Sequence, residues 1–407
     1  MTAFLSPSQQ RPPVTGTTLV LVWTLLLFVT ASCAPRHAPA LSDLSGKYHP
    51  TRLATTLQAR PGCIAWSRDS RTLAFIDKTV HLYDADSKEQ RTVAIEAPHF
   101  LSWSQDNMLL VLCQEQGRDG LCSIDRESLT HTIRTVDAGA EAFYFAPTTG
   151  SLLLLSKSFK EFPFGTEFAL RLSASDGDDR TPTQLYSFNK TYSMKQLDQR
   201  YLLAWTHAGL NPIDNSLLII EHTKPPVVSY YSRVITVDLL TGEVREILGK
   251  AQNNVYATAS WSPDGRLLAL TRGNGRLEIR TLGNEQVSLV QSMTGLYPAW
   301  SPQGDRIYFG GYVIDQDGKN SDALLLNSSQ SIAQWSPDGT KLAVATGNDL
   351  WLFNDMHPGA VPSAGTLDRD RVKKMLLIQT LFRDKLIPLE EYREQRDRLM
   401  KGPEGKD

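Results

Sequence analysis

From residue 60 to about residue 355 the chain is built of short apolar runs separated by polar turn clusters. Leu73-Ala74-Phe75, Leu109-Leu110-Val111, Leu152-Leu153-Leu154, Leu267-Leu268-Ala269-Leu270 and Leu342-Ala343-Val344 are examples. Runs this short, bounded by Gly, Pro, Asp and Ser, predict buried β-strands rather than helices. A turn of one type precedes most of them. Trp261-Ser262-Pro263-Asp264-Gly265 returns as Trp335-Ser336-Pro337-Asp338-Gly339, with Trp300-Ser301-Pro302-Gln303-Gly304 between. Trp66-Ser67-Arg68-Asp69-Ser70, Trp103-Ser104-Gln105-Asp106-Asn107 and Phe145-Ala146-Pro147-Thr148-Thr149-Gly150 are looser copies, and Gln196-Leu197-Asp198-Gln199-Arg200, ahead of Tyr201-Leu202-Leu203-Ala204, is a worn one. Pro presets φ, Asp hydrogen-bonds back onto the turn, and Gly supplies positive φ, so each copy marks a tight turn between two strands.

The copies recur at intervals of about 35 to 63 residues, and further strand signals such as Val80-His81-Leu82-Tyr83 follow each. Four short strands per unit is the blade of a β-propeller. The predicted fold is all-β: seven blades of four-stranded antiparallel sheet, or six if the stretch around residues 190–205 is a loop. The last unit ends in Leu352-Phe353-Asn354-Asp355 and then meets Pro358, Gly359, Pro362 and Gly365 without a fourth strand. Arg52-Leu53-Ala54-Thr55-Thr56-Leu57, upstream of the first unit, is expected to supply it and close the ring. The repeat resembles the WD40-like Pro-Asp repeat of TolB-type propellers, over residues 60–355. That resemblance covers about three-quarters of the chain and implies the propeller architecture.

Both ends carry different patterns. An apolar run at residues 19–29 follows a polar stretch with one basic residue, Arg11. It is short for a bilayer span and suits a signal peptide. Val29-Thr30-Ala31-Ser32-Cys33 resembles a bacterial lipobox, which makes Cys33 the lipidation site; an uncleaved anchor and a cleaved soluble form are the alternatives. Residues 1–33 are therefore expected to be a lipoprotein-type signal peptide, 34–50 a tether, 51–357 the propeller, 358–366 a linker and 367–407 a helical tail. In the tail, Met375, Ile378, Leu381 and Phe382 recur at helical spacing, as do Leu389, Tyr392, Arg396 and Leu399. The two helices meet at Lys385-Leu386-Ile387-Pro388, and Leu386-Ile387-Pro388-Leu389-Glu390-Glu391-Tyr392 resembles part of the SHOCT module. Such a hairpin is too small to stand alone, so it either self-associates, docks a partner, or packs on its own propeller.

Composition narrows the function. With 42 basic against 44 acidic residues and a net charge of −2, no broad nucleic-acid footprint is expected. No Cys-x-x-Cys or His-x-x-x-His pair occurs, so no metal site is indicated, and no cofactor or catalytic residue emerges. Asp315-Gln316-Asp317-Gly318-Lys319-Asn320 opens like a calcium loop but lacks its closing Glu, and reads as an inter-strand turn. Asp69, Asp106, Asp264 and Asp338 read as turn residues, not as a ring of catalytic carboxylates. Cys113 and Cys122 flank a hairpin, where they form either a disulfide or two buried thiols.

The expected function is a membrane-tethered scaffold of the bacterial cell envelope, periplasm-facing or extracytoplasmic, that binds an unidentified envelope protein or peptide. The long insertion from Thr206 to Ser232 offers Tyr230 and Tyr231 as interface anchors. The rival reading is an envelope enzyme, a lyase or glycan-active propeller, with a site in the central channel. It would need scattered His81, His99, His131, His207 and His222 to converge with carboxylates.

Overall fold

A computed structural model describes residues 39–136, 139–145, 152–162, 165–175, 183–193, 209–214, 216–223, 231–248, 256–282, 287–291, 293–318, 320–356 and 369–401. Seven antiparallel sheets follow one another along the chain. Blades 1, 2 and 3 span residues 64–93, 100–135 and 140–193; blades 4, 5 and 6 span 217–248, 256–291 and 299–323. Blade 7 takes its three inner strands from residues 332–353 and its outermost from Thr51–Ala54. There Thr51 pairs with Leu352 and Arg52 with Trp351, so the two ends of the propeller share one sheet, as the sequence predicts.

The fold is a seven-blade β-propeller. In each seam between neighbouring blades lies one apolar cluster, such as Leu82, Leu101 and Val111 between blades 1 and 2, or Leu218, Tyr256 and Leu270 between blades 4 and 5. The strands after the repeat turns are buried on both faces; Leu73, Ala74 and Phe75 are wholly so. Cross-strand burial of this kind is the main stabilising term.

Contacts of the propeller body begin earlier than the expected tether boundary. Ala40–Leu41 pairs with Leu325–Leu326, and the 3-10 turn Asp43–Tyr48 sets Lys47 2.6 Å from Asp322 of blade 6. The Tyr48 hydroxyl also donates to Asp322. Residues 40–48 are thus fastened to the ring, because Leu324 and Leu325 leave an apolar niche that Tyr48 fills.

Helices α1 (Arg369–Arg383) and α2 (Leu389–Lys401) form the tail. The first ends on Lys385 at φ +60°, with Leu386 N donating to Leu381 O at 2.8 Å, a reverse turn that sends α2 back along α1. The hairpin packs on its own propeller. Met375, Ile378 and Tyr392 enclose Ile213 of blade 4's first turn, and Phe382 stacks on Tyr392 with centroids 4.8 Å apart. Gln379 donates to Asp214 O at 3.1 Å, Arg393 to Glu243 at 2.9 Å and Arg371 to Asp264 O at 3.0 Å. Blades 4 and 5 are thereby clasped together.

Candidate functional site

Because neighbouring strands are antiparallel, turns between strands 1–2 and 3–4 of every blade lie at one end of the ring. Turns between strands 2–3 and the connectors between blades lie at the other. The first end carries the repeat motif, and its chemistry is structural. Ser67, Ser262 and Ser336 each donate to the Asp two positions on at 2.6 Å, and each hydroxyl accepts the N–H five residues on. In blade 6 Ser301 uses Asp305 instead, at 2.7 Å. Hydrogen bonds from Ser67 and Arg126 hold the Asp69 carboxyl below its usual range against the opposing effect of burial. These carboxylates are turn braces, as expected. Gly265 shows why the motif ends in glycine: its φ is +68° and an added Cβ would come within 2.6 Å of Asn211 Oδ1.

At the second end a cavity of about 600 Å³ opens where three inter-blade connectors meet, at residues 56–60, 97–99 and 139–141. Arg60 and Lys78 bring positive charge and Asp119 and Glu141 negative charge to its wall, beside the His99 imidazole. The connectors brace one another: Arg60 donates to Pro98 O at 2.6 Å, and Gly139 N donates to Asp119 at 2.7 Å. His99 sets Nε2 3.2 Å from Ala140 O. Lys78 and Ala97 adopt positive φ, +61° and +43°, conformations that non-glycine residues hold only when their surroundings impose them.

A smaller cavity, about 310 Å³, lies in the seam of blades 4 and 5 beneath α2, against Trp261, Leu268, Arg280 and Met400. Glu278, wholly buried, anchors Arg280 and, at 2.5 Å, Arg272 beside it. All these groups are already paired within the seam, apart from the Trp261 indole N–H, which has no partner.

The histidines do not converge among the described residues. His81 stacks on Phe75 at 4.9 Å and its Nδ1 meets Gln90 and Thr92; His131 is exposed on the outer strand of blade 2. His222 lies on a blade 4 strand and His207 outside the described residues. No group of three or more metal-binding side chains occurs among the described residues. The expected turn is seen in Gly318 N donating to Asp315 O at 2.8 Å and Asn320 donating to the Asp315 carboxylate at 2.8 Å.

Cys113 and Cys122 are free thiols, not a disulfide, and both are buried. The register explains this: Cys113 faces Gly120 and Cys122 faces Val111, one diagonal step out of direct pairing. Cys113 Sγ instead lies 3.6 Å from Gly120 O. Burial pushes Cys63 up to about 11 and Cys122 up to about 12. Cys33 and Tyr230 lie outside the described residues; Tyr231 begins the middle one of the three described strands of blade 4, its backbone paired with Thr223.

The expected insertion from Thr206 to Ser232 proves to hold one strand of blade 4, Leu217–Thr223, and the start of the next, Tyr231–Val237. Its first turn is a disguised copy of the repeat. Asn211 N donates to Ser216 O, the span that Ser262 N makes to Leu267 O, and Pro212 keeps the proline position. Asn211 Oδ1 takes the serine's place, accepting Ile213 N at 2.8 Å, while Asp214 has slipped one position and accepts Ser216 N at 2.9 Å. Without Trp or Gly the copy is invisible to motif reading. The earlier placement at Gln196–Arg200 lies outside the described residues.

No family model matches the chain, and no curated protein matches it. Solved structures do. A chain of the "Crystal Structure of Mitotic Checkpoint Complex" matches at 14% identity and TM-score 0.51, covering 87% of this chain and 98% of that one. A chain of Kuenenia stuttgartiensis hydrazine synthase matches at 16% identity and TM-score 0.51, covering 75% and 97%. The β-propeller domain of Myceliophteria thermophila Cps50 (Swd1) has 15% identity and TM-score 0.47 over 75% and 99%. Likeness at this identity speaks to fold alone.

Proposed function

We propose that this chain is a non-enzymatic propeller that binds a protein or peptide on the face bearing the 600 Å³ cavity. One observation carries the reading: the tail covers part of the motif-turn face, whereas the opposite face presents a recess built from three braced connectors. Rigid connectors around a recess are where propellers commonly seat partners. The sequence supports a setting for it. Cys33, within a lipobox-like segment, would tether the disc to a membrane of the bacterial envelope, raising its concentration beside envelope partners. Leu377 and Leu386, 57% and 70% exposed on the tail's outer side, would let the hairpin dock or self-associate.

A photo-crosslinking residue placed at Lys78, with a second placed at Leu377, tests the assignment in envelope membranes. A discrete adduct at Lys78 supports the cavity face. An adduct only at Leu377 would move the binding function to the tail, and turnover of an envelope glycan by the purified chain would overturn the non-enzymatic reading. Fractionation of the Cys33→Ala variant tests the tether, which predicts release from the membrane.

A further inference from the structure

Blade 3 is longer than its neighbours. Its second, third and fourth strands, Leu152–Phe162, Gly165–Ser175 and Thr183–Ser193, have 11 residues each; elsewhere among the described residues no strand exceeds 7. The first strand, Ala140–Phe145, pairs only with residues 152–156. Residues 157–162 continue past it, paired with 165–170, which in turn pair with 188–193. A three-stranded sheet therefore rises about 20 Å beyond the blade, at the end where the cavity opens.

On the inner side of residues 157–162, the lane that continues the first strand holds no described strand. A free strand edge presents backbone N–H and C=O groups ready to pair. The foot of this lane is Ala140, on the rim of the cavity. The register also sorts the positions of the extension. Phe159, Phe168 and Lys190 form one row, flanked by Lys157, Leu170 and Phe188 and by Glu161, Thr166 and Tyr192. These rows continue the positions of Leu153 and Leu155, which lower in the blade meet Leu217 and Ile219 of blade 4. The alternate positions of the strand, Ser158, Lys160 and Phe162, lie in the rows of Ala169, Glu167 and Gly165.

We propose that residues 157–162 are a docking edge for an extended peptide of the partner, added as a further strand in the lane above Ala140. The proposal rests on the peptide-binding reading above and says how the peptide is held. Running antiparallel to residues 157–162, the favoured sense, the added strand points its C-terminal end at the cavity rim. Main-chain hydrogen bonds supply affinity, and alternate side chains supply selectivity. Lys157 and Lys160 outweigh Glu161 in this segment, which opposes an identical edge from a second copy and favours a strand carrying carboxylates.

The test uses the full chain and a phage-displayed library of random dodecapeptides, followed by amide exchange with the enriched sequences. The expected result is carboxylate-bearing peptides that slow exchange in residues 157–162. Ser158→Pro and Phe159→Pro give a paired control, since adjacent amides point to opposite sides of a strand. One variant should lose peptide affinity at least tenfold with an unchanged melting temperature, while the other weakens the sheet itself. Protection confined to residues 56–60, 97–99 and 139–141 would overturn the edge and leave the cavity reading standing. Failure to enrich any peptide would overturn both, and equal effects of the two proline variants would overturn the edge.

Discussion

The indole N–H of Trp66 donates to the carbonyl of Gln334 at 3.1 Å, across 268 residues of sequence. The same bond repeats around the ring. Trp103 reaches Ala65 O, Trp300 reaches Ser260 O and Trp335 reaches Ala299 O, at 3.0, 3.2 and 3.1 Å. Each acceptor is the residue just before the preceding blade's own tryptophan, so the motif stitches blades 1, 2, 6 and 7 each to the blade before. Trp261 breaks the pattern: its N–H is buried without a partner, in the seam that follows the disguised turn of blade 4.

That contrast is measurable. Trp→Phe deletes the donor and keeps most of the ring. At Trp66 or Trp335 it should cost about 1 to 2 kcal/mol, since the carbonyl loses a buried partner. At Trp261 no bond is lost with the unpaired N–H, so the change should cost less than at the other two by about that amount, leaving only the packing loss common to all three. Urea unfolding of the three variants decides it; equal losses at all three positions would remove the stitching role.

The strand Thr51–Ala54 completes blade 7 through its pairing with Asp349–Phe353. A chain beginning at residue 59 would leave that sheet with an open edge and uncover part of the cluster holding Leu53, Leu57 and Leu350. We expect it to unfold at lower urea, with amides of residues 349–353 exchanging at least tenfold faster. Unchanged exchange there would mean that the ring closes without its fourth strand.

Arg396 and Asp238 form an ion pair with side chains only 6% and 5% exposed, and Tyr392 donates to the same carboxylate at 3.0 Å. Removing one partner strands the other charge. Arg396→Met should cost about 3 kcal/mol, and adding Asp238→Asn should recover much of it. A double-mutant cycle on melting temperature checks this. Strict additivity would show that the hairpin is held by its apolar cluster alone.

The thiols offer a chemical count. Cys63, Cys113 and Cys122 are buried with raised thiol pKa values, so a thiol reagent should leave them untouched in the native protein. In denaturant all three should react at once. Recovery of two fewer, restored by reduction, would establish a Cys113–Cys122 bridge.

Where local chemistry repeats, the architecture was legible: the Trp-Ser-Pro-Asp-Gly turns announce themselves because φ and side-chain bonding constrain every position. Asn211-Pro212-Ile213-Asp214 escaped, since Asn and a displaced Asp satisfy the same backbone groups with different letters. The tail's buried stripe of Met375, Ile378, Tyr392 and Arg396 followed from helical spacing, but not which surface it covers. The cavity was beyond reach. Arg60, His99 and Glu141 stand far apart in sequence and meet only because the ring brings three connectors together, with no motif at any of them.

Asp214 gives the hairpin a pH signature. Its side chain is buried under α1, with Oδ1 accepting both Ser216 N at 2.9 Å and Ser216 Oγ at 2.6 Å. Burial raises its carboxyl above the usual range, more than these bonds and the nearby Arg396 lower it. A carboxyl whose folded pKa exceeds its unfolded one binds protons more readily in the folded state. Stability therefore falls as pH rises from about 4, the unfolded value, through the raised folded one. Asp214→Asn keeps an acceptor for Ser216 and removes the titration. It should melt above the wild type at neutral pH, with the gap closing as pH is lowered toward about 4. A pH-independent gap would mean that Asp214 does not titrate differently on folding. A wild type that melts higher at neutral pH would mean that attraction to Arg396 outweighs burial.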